Sequence, residues 1–212
     1  MIDTVILDWS GVVSDDWALT FAAGNDILQE LGLKRLSEKR FRELYELPWM
    51  RFYEKLGAVV DVKEEYERWA RVYPKYSGEE KPFPFAGKAI EWLKARGKKV
   101  IVFSAKTQEH LEQEISGYGL KSLIDYSYGS NEDKGKKIHL LVARHEIEKK
   151  SAIYVGDMVH DIETARQAGI RSVAVLSGYD SREKLEKAKP DFIIKDLGEL
   201  PALIEKLEAE EK

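Results

Sequence analysis

The sequence predicts an α/β fold: a Rossmann-like three-layer core around a central parallel sheet, plus a small α-helical cap domain. Three observations carry that expectation. Short β-branched runs alternate with stretches of helical periodicity along most of the chain. Several of those runs end in a residue able to do chemistry. One long stretch, between residues 15 and 82, breaks the alternation with helical pattern alone.

The first run, TVIL at 4–7, stops at Asp8 and enters a Trp-Ser-Gly turn. WALTFAAGNDILQELGL, SEKRFRELYEL and VKEEYERWARVY follow, each with apolar residues at helical spacing, before PFPFAG at 82–87. A structureless loop of that length is uncommon inside a compact domain, so residues 15–82 read as a helical cap. Residues 1–14 and 83–212 then form the core, with hinges near Asp15 and from Pro82 to Pro84. Beyond the insertion, AGKAIEWLKAR at 86–96 predicts a helix closed by Gly97, and KVIVF at 99–103 a strand. The alternation continues with a helix at 107–117, the strand LIDYSY at 123–128 and a helix at 134–147. AIYV at 152–155 is the next strand, and VHDIETARQA at 159–168 is a helix closed by Gly169. SVAVL at 172–176 and DFII at 191–194 complete the strands, and a helix at 199–211 closes the chain.

At 212 residues and 43% hydrophobic, the chain is long enough for one sizeable core with a small satellite domain. Its 34 Lys and Arg are interspersed with 38 Asp and Glu, for a net charge of -4. That mixture leaves no basic stripe for nucleic acid and directs attention to small-molecule chemistry. With no cysteine, disulfides, thiolate zinc sites and a cysteine nucleophile are all excluded. No apolar run approaches the roughly 18 residues of a membrane span. The N-terminus has neither the basic flank nor the cleavage site of a signal peptide, so a cytoplasmic location is expected. A charged fraction of 34%, rich in Lys and Glu, matches thermophile composition.

Three predicted strands end in a reactive group: Asp8, Ser104 and Asp157. Each alone could be a turn residue or a helix cap. In open α/β sheets, however, ligands sit beyond the carboxyl ends of the strands, where these three would converge. Asp157 and Asp161 stand at i and i+4, which puts both carboxylates on one side of a first helical turn. Carboxylates gathered at one strand end repel unless a cation separates them, and hard oxygen ligands select Mg2+. Asp8 would supply a third. Lys134 opens a helix, where a lysine opposes the macrodipole, so a role bridging Asp8 and a bound phosphate is the functional reading. A solvated lysine beside Lys136 and Lys137 is the plain one, and spacing does not choose among the three.

The order of these motifs resembles the haloacid dehalogenase-like hydrolase superfamily, in the branch with a small helical cap after the first strand. VILDWSGVVSD resembles its first motif, VIVFSA its second, DKGKKIHLL its third and YVGDMVHDIETARQAG its fourth. The resemblance spans about residues 3–178 and is most specific in the fourth motif. It implies a phosphatase or phosphotransferase acting on a small phosphorylated metabolite through an aspartyl-phosphate on Asp8. It further implies Mg2+ held by Asp8, the backbone carbonyl of Ser10 and Asp157, with Asp161 in or just outside that set. Ser104 would donate to a phosphoryl oxygen and Lys134 would offset the remaining charge.

Position 10 departs from the pattern. Phosphatases of the superfamily carry an aspartate there, as acid for the leaving group and base for water; this chain has Ser10. The carbonyl contact survives such a change, whereas the acid/base chemistry is expected to be slow or rerouted, through Asp15, Asp16, His160 or a group of the substrate. Branches lacking that aspartate offer alternatives: 2-haloacid dehalogenases, which place Tyr there, and phosphonoacetaldehyde hydrolases, which need a cap lysine. The stretch RFRELYELPWMRFYE has no lysine between Lys39 and Lys55. A third alternative is a protein that binds a phosphorylated ligand or a partner with little turnover. Trp17, Trp49, Phe52, Tyr53 and Trp69 are candidates to face the site, against the simpler reading that they form the cap's own core. His110, His139 and His145 lie on predicted helices and receive no role.

Overall fold

In the computed structural model of the chain, every residue is described except 77, 79, 130–133, 211 and 212, together with the side chain of Lys136. The first half contains β1 (Thr4–Leu7), β2 (Ser14–Asp15), α1 (Trp17–Glu30), α2 (Glu38–Leu44), α3 (Met50–Lys55), α4 (Val62–Val72) and β3 (Lys81–Pro82). It continues with α5 (Ala86–Ala95), β4 (Lys99–Ser104), α6 (Gln108–Gly117), β5 (Tyr126–Gly129) and α7 (Lys134–Arg144). The remainder is β6 (Ala152–Gly156), α8 (Val159–Ala168), β7 (Arg171–Val175), α9 (Arg182–Ala188), β8 (Phe192–Ile194) and α10 (Leu200–Glu210).

All four residues of β1 are buried, as a central strand covered on both faces requires. The sheet runs β5-β4-β1-β6-β7-β8 and every neighbouring pair is parallel. Side chains alternate across it. Val5 and Leu7 pack with Ala89, Ile90 and Leu93 of α5, Leu111 of α6 and Ile204 of α10. Ile6 points the other way, into a cluster with Ile138 and Leu141 of α7 and Ala165 and Ala168 of α8. The chain leaves β1 for β4 on one side and returns to β6 on the other, so the strand order reverses at β1. Ligand sites of such sheets lie at that reversal.

The segment between β2 and β3 is helical, with α1 to α4 covering most of it. Its two flanks pair with each other: Ser14 with Pro82 and Asp15 with Lys81, in a short antiparallel ribbon. Trp17, Phe41, Phe52 and Tyr53 fill the interior of this segment, and the same cluster takes in Met158 and Tyr179 from the sheet-bearing part.

Three elements differ from the sequence expectation. Residues 121–123 form a single 3-10 turn, and β5 begins only at Tyr126, after Asp125 has used its carboxylate to accept from the Val100 amide at 2.7 Å. α7 ends at Arg144, not 147, because Glu146 adopts φ 50, a left-handed conformation that no helix continues through. α9 is unanticipated: Ser181 caps it by accepting from the Lys184 amide, and Leu185 is its one buried residue. The last helix is described to Glu210, and residue 211 of the predicted span lies outside the described residues.

Candidate active site

Asp8 follows β1 and extends its pairing, donating its amide to the Val155 carbonyl of β6 at 2.9 Å. Its Oδ1 accepts from the Trp9 amide at 2.7 Å and lies 3.1 Å from Lys134 Nζ. The turn beyond is closed by the Trp9 carbonyl, which accepts from the Val12, Val13 and Ser14 amides. Gly11 is required twice over: its φ is 75, and a Cβ there would lie 2.2 Å from Asp157 Oδ2.

Asp157 follows β6, and Asp161 sits in the first turn of α8. One oxygen from each of Asp8, Asp157 and Asp161 lies within 4.8 Å of the others, and all three residues are buried. Asp157 Oδ2 accepts from the Tyr179 amide at 2.7 Å, whereas its Oδ1 is buried with no hydrogen-bond partner among the described residues. Asp161 is already engaged on both oxygens. Oδ2 accepts from the Asp157 and Met158 amides at 3.2 and 3.1 Å, and Oδ1 lies 2.5 Å from Lys134 Nζ.

Burial pushes the Asp8 carboxyl up to about 7, with Lys134 opposing the rise and Asp161 adding to it. Burial likewise holds Asp157 well above the usual carboxylate range, reinforced by Asp161 and Asp8. Burial disfavours the Lys134 ammonium too, but Asp161 and Asp8 more than offset this and keep it charged beyond the ordinary lysine range. Three buried carboxylates against one ammonium leave the cluster short of positive charge. Hard oxygen donors with an unpartnered Asp157 Oδ1 among them fit Mg2+.

At the start of α7, Lys134 reaches Asp8 and is 1% exposed. Lys137 is half-buried; the side chain of Lys136 and residues 131–133 of that motif lie outside the described residues. Ser104 ends β4, buried, and its Oγ accepts from the Lys106 amide at 3.1 Å. Ser10 and Ser104 both line the cavity that opens above Asp8.

The Ser10 side chain turns to a carboxylate. Its Oγ donates to Asp16 Oδ2 at 2.7 Å. Asp16, buried at the start of α1, also accepts from Tyr179 OH at 2.9 Å and pairs with Lys106 Nζ at 2.9 Å. Lys106 pairs in turn with Glu114, which accepts from Trp9 Nε1 at 2.6 Å. Of the other acid/base candidates, Asp15 is exposed in the ribbon, and His160 is not among the residues described around the cavity. Lys106, Glu114 and Tyr179 carry no motif signal. For Lys106 the available hint was its position two residues beyond Ser104.

The cavity has a volume of about 370 Å3. Trp49, Tyr66, Trp69 and Tyr73 of the helical segment face Asp8, Ser104 and His110 of the sheet-bearing part across it. Trp49 and Trp69 thus face the site as one sequence reading has it, while Trp17, Phe52 and Tyr53 pack in the helical segment's own core. Neither Lys39 nor Lys55 lines the cavity; both are exposed, and Lys55 pairs with Glu46 at 2.5 Å.

Residues 5–175 match the family model for haloacid dehalogenase-like hydrolases. The chain is 23% identical over 205 residues to phosphoglycolate phosphatase of Synechococcus elongatus, covering 94% of this chain and 95% of that protein. Among solved structures, a predicted phosphatase from Clostridium acetobutylicum superposes with a TM-score of 0.82 at 19% identity, over 97% of this chain and 99% of that one. A haloacid dehalogenase-like hydrolase from Streptococcus pneumoniae does so with a TM-score of 0.80 at 22% identity, over 96% and 98%. At such identities the structural likeness speaks for the fold. Among the described residues no helix is long and apolar enough to cross a membrane.

Proposed function

The chain belongs to the haloacid dehalogenase-like hydrolase family, and from that premise we propose that it hydrolyses the phosphate ester of a small metabolite by transfer of the phosphoryl group to Asp8. One observation carries the reading: Lys134 pairs with Asp8 and Asp161 at the end of β1, and beside them lies a third buried carboxylate, Asp157, whose Oδ1 has no hydrogen-bond partner among the described residues. Asp8, the Ser10 carbonyl and Asp157 are the residues we assign to Mg2+, with Asp161 acting chiefly on Lys134 and the α8 amides. When bound, the ion neutralises charge between the nucleophile and the phosphate.

The protein's own residues supply the rest. The Trp9 amide and Lys134 fix one oxygen of Asp8 and so orient its carboxylate. The other oxygen attacks phosphorus, the ester P–O bond breaks, and an aspartyl-phosphate forms. Ser104 and Lys134 hold the phosphoryl oxygens. Water then attacks the aspartyl-phosphate and restores Asp8. We assign the proton transfer of the second step to Asp16, the carboxylate hydrogen-bonded by the Ser10 side chain and paired with Lys106. It takes a proton from the attacking water as the aspartyl-phosphate is hydrolysed, while the alkoxide departing in the first step takes its proton from water.

Phosphate release from a set of phosphorylated metabolites, with Mg2+ and after its removal by chelation, tests this. Wild type should release phosphate only with the ion, and Asp8→Asn should abolish release while keeping the fold. Turnover that survives Asp8→Asn would overturn the assignment.

A further inference from the structure

We propose that the cavity over Asp8 takes a phosphate ester whose alcohol carries a flat aromatic ring, in preference to one carrying a short carboxylic acid. This rests on the hydrolase reading above and adds the class of substrate to it.

Size comes first. At about 370 Å3 the cavity lies within the roughly 300–1,000 Å3 range of sites for drug-sized ligands, and it is continuous with Asp8 and Ser104. A two-carbon acid on the phosphate would leave most of its wall against water. The wall is built of rings. Trp49 and Tyr66 meet edge to face, with centroids 4.8 Å apart and planes at 78°. Tyr73 is tilted against Trp69 at 6.3 Å and against His110 at 6.4 Å. Rings from the helical segment thus stand opposite one from the sheet-bearing part, with Met158 also on the lining. A planar apolar guest meets edges and faces there, the geometries aromatic pairs favour.

Charge points the same way. Among the described residues lining the cavity, Lys106 is the one Lys or Arg, and it is committed to Asp16 and Glu114. Asp16 and Glu67 also line the cavity. A carboxylate on the leaving group would therefore meet anions and a cation already paired, and would lose its hydration with no uncommitted Lys or Arg among the described lining residues to offset its charge. A neutral ring loses nothing of that kind.

The test compares kcat/KM, with Mg2+ present, for benzyl phosphate, ethyl phosphate and phosphoglycolate. Benzyl and ethyl esters both depart as alkoxides, so their ratio reads recognition of the ring. We expect benzyl phosphate to exceed each of the others by about tenfold or more, chiefly through KM. Trp49→Leu and Tyr66→Leu should each shrink the benzyl-to-ethyl ratio about fivefold. Phosphoglycolate turned over as well as benzyl phosphate, or a ratio unmoved in both variants, would overturn the proposal. Calorimetric binding of benzylphosphonate against phosphonoacetate separates the two claims. If no ester is hydrolysed yet benzylphosphonate binds about tenfold tighter, the hydrolase reading falls and the ring site stands. Equal binding of the two phosphonates sinks the ring site whatever the turnover.

Discussion

A serine at position 10 has no proton to give near neutral pH, yet its hydroxyl donates to a carboxylate six positions along the chain. If Asp16 carries the proton, Asp16→Asn should lower kcat by about 10²–10⁴-fold, the usual weight of a general acid/base. Ser10→Ala removes only one of Asp16's hydrogen bonds and should cost much less. The double exchange S10D/D16S moves the carboxylate to position 10, where the sequence resemblance expects one. It should recover activity that D16S alone has lost; no recovery, in steady-state assays, would show that Asp16 is not the proton carrier. Asp8 yields a prediction in pH. Its ordinary value is 3.8 and burial moves it to about 7 in the folded protein. Between those values the unfolded chain releases the proton and the folded one keeps it, so metal-depleted protein loses stability as pH rises through that window. A cation bound to the ionised cluster acts in the opposite sense. The gain in Tm on adding Mg2+ should therefore be larger at pH 8 than at pH 5, measured by calorimetry.

At the scale of elements, the site depends on how closely the turn after β1 and the loop after β7 approach Asp157. A Cβ at Gly178 would lie 2.0 Å from Asp157 Oδ2, closer than side chains ever come. Gly178→Ala must therefore push the carboxylate aside. Displacing a group that orients a metal ligand commonly costs about 10–100-fold in affinity. We expect a loss of Mg2+ affinity of that order by titration calorimetry, with an unchanged circular dichroism spectrum. The motif at the end of β6 announces Asp157 and Asp161, but not this steric collar. α9 escaped notice for a related reason: seven residues with one buried position, Leu185, leave almost no periodic signal. The 3-10 turn before β5 was hidden differently. LIDYSY is strand-like throughout, and only the Asp125 carboxylate pairing with Val100 decides where the strand begins.

For the whole molecule, the question is how the helical segment is held over the sheet. Arg42 of α2 stacks on the Trp17 ring at 3.8 Å and donates to the Gly178 carbonyl at 3.1 Å. Lys184 of α9 donates to the Arg42 carbonyl at 2.8 Å. Tyr179 packs edge-on against Trp17 at 5.0 Å while its OH reaches Asp16. These contacts tie the segment to the same loop that positions Asp157. Arg42→Ala should therefore speed amide exchange across α1 and α2 and leave β1 at the wild-type rate; equal acceleration in both would mean that the two parts open together.

Much of this architecture was legible in the sequence. A buried parallel strand must be a short apolar run, and its end must face the ligand side of the sheet, so Asp8, Ser104 and Asp157 could be brought to one place on pattern alone. Asp161 followed from helical spacing. What only the tertiary structure decided is which side chains complete that place. The choice of Lys134, the pairing of Ser10 with Asp16, the neutralisation of Lys106 by Asp16 and Glu114, and the rings over the cavity all depend on how separate elements pack. Strand and helix periodicity record which face of an element is buried. They do not record which distant residue lies across from it, and hydrogen bonds and ion pairs act only over the last few ångströms of that approach.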